Sequence, residues 1–350
     1  MASPAGKPGA EHHGTPTSLG FILMQLEGIT PAAACQLFYM VGMLFILAIT
    51  IMPDSAKDLL LSYGPRQQQQ QQQQQHGPAL GSDVKASMGP SVSKTSTTSD
   101  ASENRLVSFL DWVTSVGKVP HSWFTHFYIL SVACSAFWGV QFVTKGRLLY
   151  FLASHVDSSA PSMTATQVVL TWFLMSLQGG RRLYESWFVM RSSSSRMWFI
   201  HWALGLAFYF FTSIAVWAEG SHAILSASGS ADLAMPTSKT ILGTVAFFVA
   251  WTWQNRCHVY LSKLKKYSLP EKGLFRFIVS PHYTCECALY LALAAVAAPG
   301  GQPVNRTLLC AVMFVAANLG ATAGGTKQWY SDKFGAEKVQ GKWKMIPMVY

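Results

Sequence analysis

The sequence predicts an all-α polytopic membrane protein with seven transmembrane helices, its N-terminus lumenal and its C-terminus cytosolic. Three observations predict it. Of 350 residues, 50% are hydrophobic and only 12% are charged, where soluble domains carry about 25% charged residues. The apolar residues gather into seven runs, at about 31–52, 122–143, 164–180, 197–217, 239–255, 284–299 and 306–325, close to the ~20 residues a helix needs to cross a bilayer. Lysine and arginine then alternate from loop to loop. With Lys239 and Arg306 counted as loop residues, the segments before the first run and after the second, fourth and sixth hold 1, 2, 1 and 1, whereas those after the first, third, fifth and seventh hold 6, 4, 6 and 5. The side with the positive excess is cytosolic.

Taken in order, residues 1–20 are polar and unpatterned, and 1–30 is expected as a disordered lumenal tail without a signal peptide. The first run, within 31–63, is therefore read as an uncleaved anchor. Residues 64–103 hold nine consecutive glutamines, Gln67 to Gln75, followed by a Gly/Ser/Thr/Pro-rich stretch. Such a segment cannot bury enough apolar surface to offset its ordering entropy, so it is expected as a disordered cytosolic loop. Residues 104–350 form the remaining six-helix domain, whose short third and sixth runs can tilt or extend into their flanks. Trp123, Trp172, Trp198, Trp217 and Trp253 lie near the expected ends, where aromatic belts form.

The net charge of +10 invites a nucleic-acid partner, but its one-sided placement already accounts for it, and none is expected. The six cysteines show no zinc-site spacing and read as free thiols packed as small apolar residues; no metal site is expected. Asn305 opens an Asn-Arg-Thr sequon on the lumenal side, hard against the seventh run.

Polar residues embedded in apolar helices are costly and point to function. Four clusters lie toward the cytosolic side: "VPHSWFTHFYIL" with His121 and His126; "LQGGRRLYESWFV" with Arg181, Arg182, Tyr184 and Glu185; "WQNRCHVYLSKLKK" with Gln254, Asn255, Arg256, His258 and Lys265; and "GLFRFIVSPHYTCECALY" with "TKQWYSDKF", giving Ser280, His282, Tyr283, Glu286, Lys327 and Tyr330. Taken singly, the basic residues read as membrane anchors and the histidines as interfacial side chains. Buried carboxylates such as Glu185 and Glu286 demand partners, and the convergence on one face favours a site. Its arginines and lysines suit phosphate, while no G-x-G-x-x-G, Walker, H-E-x-x-H or G-x-S-x-G motif is present. The residues alone stop at a membrane-embedded site for something anionic and something lipid-like.

At these clusters the chain resembles the steroid 5-alpha-reductase family, in particular its polyprenal (polyprenol) reductase branch. "VPHSWFTHFYIL", "RRLYESWFV", "CHVYLSKLKK", "LPEKGLFRFIVSPHYTCECALY" and the closing "QWYSDKFGAEKVQGKWKMIPMVY" match that branch's segments in order, over about residues 118–350. The resemblance implies an endoplasmic-reticulum membrane reductase that binds NADPH from the cytosol and takes a long-chain polyprenoid lipid from the bilayer. It also implies a product, dolichol, that serves protein N-glycosylation. By position, Lys265, Gly273, His282, Tyr283, Glu286, Lys327 and Tyr330 should line the NADPH site, bordered by Arg181, Arg182, Tyr184 and Glu185. His126 is the expected carbonyl contact, with Tyr184 and Tyr330 as alternative donors. Two departures matter. The Gln-Glu pair and Tyr that grip a steroid carbonyl correspond here to His126-Phe127 and Gly179, against a steroid substrate. Lys327 stands where the family usually has histidine. The alternatives are steroid or enoyl-CoA reduction and, more remotely, a non-enzymatic seven-helix receptor or transporter.

Overall fold

The computed structural model describes residues 29–52, 108, 117–156, 161–190, 195–227 and 235–350. The expected N-terminal tail before residue 29 and the glutamine-rich loop 64–103 lie outside them. A long helix occupies each of the seven apolar runs. These are α1 (Pro31–Thr50), α2 (Thr125–Thr144), α4 (Ala165–Tyr184), α5 (Phe199–Ala218), α7 (Ser238–Lys263), α8 (Pro281–Val296) and α9 (Arg306–Phe334), with short α3 (Arg147–Ser154) and α6 (Ser221–Ser226) between them.

Local chemistry sets the ends. Thr30, Thr164, Thr237 and Asn305 each cap the helix that follows through a side-chain oxygen, satisfying an orphan amide of the first turn. Thr164 and Gln167 form a reciprocal capping box. α2 stops where Lys145 turns left-handed at φ 45°. The helices overrun the apolar runs where polar side chains find partners: α4 continues to Tyr184, α7 to Lys263 and α9 to Phe334. The first helix stops at Thr50, within the span 31–63 expected for it.

Four segments are long and apolar enough to cross a bilayer: Pro31–Thr50, His121–Thr144, Phe199–Ala218 and Arg306–Phe334. Among the described residues, α4 and α7 fall short of that because their inner faces carry amides and charges, and α8 because it has only 16 residues.

α7 packs along α8, α9 along α1 and α8, and α2 lies against α4 and α5. An aromatic seam runs through the middle. Trp138 stacks on Trp217 at 5.7 Å between ring centroids, Phe208 on Phe314 at 5.4 Å, and Phe38 on Phe211 at 4.4 Å. Gly42 lets α1 approach α9, since a Cβ there would meet the Phe314 ring at 2.5 Å. Outward faces are apolar, with Val143, Leu242 and Val249 more than half exposed, as lipid contact requires.

Each end of the bundle is tied by polar contacts. At one end Asn305, wholly buried, donates to Glu219 Oε2 at 2.7 Å, Thr307 donates to the other Glu219 oxygen, and Gln167 donates to the carbonyls of Val296 and Ala298 at 3.1 and 2.6 Å. Burial and capping leave no room for a glycan on Asn305. At the other end β1 (Lys118–Pro120) pairs antiparallel with β2 (Arg196–Trp198), Val119 opposite Met197, joining the starts of α2 and α5.

Candidate functional site

The site lies at that second end, and helical periodicity builds it. On α4, Gln178, Arg181, Arg182 and Glu185 fall at i, i+3, i+4 and i+7, one face of the helix. Tyr184, between them, turns outward with 57% of its surface exposed. The same spacing places Trp251, Gln254, Asn255 and His258 on one face of α7, while His282, Cys285 and Glu286 share a face of α8. These three faces meet.

Glu185 is the hub, with none of its side chain exposed. One oxygen takes Arg182 Nη1 at 2.6 Å and lies 2.7 Å from His258 Nδ1; the other accepts from Asn255 at 2.7 Å, with Arg181 at 3.7 Å. Burial alone would raise its carboxyl. The hydrogen bond with His258, the Arg182 guanidinium and the Asn255 amide together overcome that and hold it well below the usual carboxylate range. The chain here makes a single π turn, Glu185–Val189, closed by the Met190 amide on the Glu185 carbonyl at 2.8 Å; such turns recur at functional sites.

Arg182 also donates to the Tyr128 hydroxyl at 2.5 Å and lies over its ring at 4.8 Å, bringing α2 into the cluster. Arg181 donates to Gln178 Oε1 at 2.7 Å, to Gln254 Oε1 and to the Trp251 carbonyl. Gln254 in turn donates to Glu286, which Gln178 approaches at 3.4 Å. Among the described residues, three buried polar atoms here have no protein partner: Arg181 Nε, Trp251 Nε1 and His282 Nδ1. Buried polar groups are normally satisfied, so they mark where something else can bind.

Beside the cluster, on the outer side of α7, Trp253, Arg256, Cys257, Tyr260, Lys272, Gly273, Leu274 and Phe275 line an open groove of about 220 Å³. Gly273 adopts φ +60°, and nothing lies within 4 Å of where its Cβ would be, leaving bare backbone at the groove edge. The Tyr260 hydroxyl accepts from the amides of Glu271 and Lys272 at 3.2 and 3.3 Å, shaping this wall.

A family model described as 3-oxo-5-alpha-steroid 4-dehydrogenase matches residues 225–350. Polyprenal reductase of Drosophila melanogaster is 30% identical over 244 residues, 62% of this chain and 72% of its own length. The chain belongs to the steroid 5-alpha-reductase family. Polyprenal reductase 1 of Arabidopsis thaliana is 27% identical over 253 residues, covering 62% of this chain and 77% of that one, and the Saccharomyces cerevisiae polyprenal reductase 28% over 232, covering 66% and 75%. Members of this family are oxidoreductases, and this chain is one.

Arg181, Arg182, Glu185, His282 and Glu286, all anticipated from sequence, come together in this way. Tyr283 follows His282, its ring centroid 4.2 Å away; Lys265 is exposed beyond the end of α7. His126 sits among aromatic rings, 5.2 Å from Trp123 and 6.1 Å from Trp202. Tyr184 packs on Phe188 at 5.2 Å, and Tyr330 on Trp329 at 5.2 Å. Lys327 donates to the carbonyls of Gln340 and Lys342 at 3.3 and 2.6 Å. It holds the C-terminal segment, which pairs with the start of α8 through Val279 N on Trp343 O at 2.8 Å. Tyr128 and Gln178 were missed. Gln178 was legible from its spacing to Arg181, Arg182 and Glu185; Tyr128 reads in sequence as one more aromatic in an apolar helix.

Proposed function

We propose that the protein uses NADPH to reduce the α-isoprene double bond of polyprenal, a step from polyprenol toward dolichol and protein N-glycosylation, in the endoplasmic-reticulum membrane. All seven long helices span, with the N-terminus lumenal and the C-terminus cytosolic. The observation that carries this reading is the buried cluster at the end of an apolar bundle, where a charged cofactor from water and a lipid from the bilayer can meet. The names of the curated relatives supply the substrate class.

The residues present fit a dinucleotide phosphate. Arg256, Lys272 and the exposed Lys265 offer cations on the water side, bare backbone at Gly273 allows close approach, and His282 Nδ1 and Arg181 Nε stand without protein partners. Arg181, Arg182, Glu185, His282, Tyr283 and Glu286 border it, and Lys327 acts by holding the tail that pairs with Val279 and Ser280 just ahead of His282. When bound, the reduced nicotinamide supplies a hydride for the β-carbon of the enal. The chain contributes orientation and electrostatics. Glu185 fixes the Arg182 fork, and the Gln178–Gln254–Glu286 amide chain fixes Arg181. Charge then develops on the substrate oxygen next to preorganised donors.

Gly179 separates this reading from steroid reduction. A Cβ there would lie 2.6 Å from Ser131 Oγ and 3.3 Å from Ser131 Cβ, so the place of the steroid-gripping tyrosine is already occupied. The test is purified protein in liposomes with NADPH and a long-chain polyprenal, a 3-oxo-steroid or an enoyl-CoA. Cofactor oxidation with polyprenal, and a lipid product heavier by two hydrogens, is expected. Turnover only with the steroid or the thioester contradicts it.

A further inference from the structure

We infer that Tyr128 is the donor that holds the substrate carbonyl oxygen. This rests on the enal-reducing reading of the same site. The Tyr128 side chain is buried on α2, and its Oη accepts a charge-assisted hydrogen bond from Arg182 at 2.5 Å. A phenol oxygen that accepts from a guanidinium is polarised, and its own O–H becomes the better donor. Among the described residues no acceptor takes that hydrogen. Arg182 cannot swing away, because Glu185 holds it at 2.6 Å and Glu185 is itself fixed by Asn255 and His258.

The surroundings suit the lipid side of the site. Tyr209 meets Tyr128 edge-on at 5.9 Å between ring centroids and Phe127 by stacking at 6.1 Å. Ser131 and Ser135 follow Tyr128 at i+3 and i+7 on the same helix face. With Tyr209, Thr212 and Ser213 they line a small cavity of about 20 Å³ inside the apolar bundle, room for about one water or one carbonyl oxygen. Tyr128 does not itself line that cavity; Ser131, one turn further along α2, and Tyr209, whose ring meets Tyr128 edge-on, do.

In the reaction the β-carbon gains hydrogen with its electron pair, the alkene pair moves to the bond joining the α-carbon to the carbonyl carbon, and the carbonyl pair moves to oxygen. The Tyr128 O–H hydrogen-bonds that enolate oxygen without losing its proton. A proton from water then adds at the α-carbon and the carbonyl re-forms. The substrate has gained one hydride and one proton.

The experiment compares wild type with Tyr128→Phe and a 3-fluorotyrosine at position 128, at saturating NADPH. Three quantities are read: kcat and KM for polyprenal, NADPH affinity by fluorescence, and melting temperature. Tyr128→Phe is expected to lose about 10²–10³ in kcat, with KM within about threefold, NADPH affinity within about twofold and the fold intact. Fluorotyrosine, the same shape but a more acidic phenol, should retain turnover at an altered kcat. If the phenylalanine variant does not fold, fluorotyrosine decides alone, and an unchanged kcat overturns the inference. A foldable Tyr128→Phe at near wild-type kcat also overturns it, as does a variant whose whole defect is weakened NADPH binding. Wild type that binds NADPH but leaves polyprenal untouched overturns the underlying reading and this role with it.

Discussion

Replacing Glu185 by glutamine isolates the charge at the centre of the cluster. Four groups converge on its two oxygens: Arg182 at 2.6 Å and His258 Nδ1 at 2.7 Å on one, Asn255 at 2.7 Å and Arg181 at 3.7 Å on the other. Whichever way the amide is turned, its NH₂ faces at least one donor, Arg182 on one side or Asn255 and Arg181 on the other, and Arg182 loses its counter-charge. Removing one partner of a buried ion pair costs about 3–5 kcal/mol. At roughly 2–4 °C per kcal/mol for a chain of a few hundred residues, the melting temperature in detergent should fall by about 10 °C. The pH dependence has a definite sign. Glu185 is held below the unfolded carboxylate value, so its contribution is complete above about pH 4.3 and is lost as pH falls toward the folded value. The gap between wild type and Glu185→Gln should therefore be constant from pH 6 to 8 and narrow below about 4.3. Thermal unfolding followed by tryptophan fluorescence reads both effects. A shift under about 2 °C, or a gap that widens on acidification, would refute this account of the cluster.

Gly179→Tyr should destabilise by about 1–3 kcal/mol through overpacking against Ser131 and confer no steroid reduction; Ser131→Gly in the same chain should recover part of the stability in a thermal melt. Gly273→Ala places a side chain at φ +60° and should cost about 1 kcal/mol. NADPH binding by titration should weaken by more than tenfold, and an unchanged affinity would move the cofactor away from this backbone. Lys327→Met removes the donor to Gln340 and Lys342, and hydrogen exchange over residues 340–345 should rise by about an order of magnitude.

The helices were legible because composition and length are local properties: seven apolar runs became seven helices, and Glu185 and Glu286 stood out as carboxylates in apolar surroundings. The site was partly legible for the same reason. Arg181, Arg182 and Glu185 share a face by spacing alone, as do Gln254 and His258, but which faces meet depends on packing no single segment encodes. Tyr128 shows the limit most clearly: beside Phe127 and Ile129 it looks like lipid-facing bulk, and only its contact with Arg182, 54 positions away, gives it a polar role. Lys327 was expected at the cofactor by its place in a motif. Its two carbonyl partners sit on a C-terminal segment that folds back, a non-local pairing invisible to spacing.

The central claim is hydride transfer to the α-isoprene unit of a polyprenoid aldehyde at this cluster. NADPH carrying deuterium at its transferable position, incubated with the purified protein and a long-chain polyprenal in ordinary water, tests it most directly. One deuterium at the β-carbon of the saturated aldehyde and a solvent hydrogen at the α-carbon are expected. Deuterium at the carbonyl carbon, with the double bond intact, would make the protein an aldehyde reductase and contradict it.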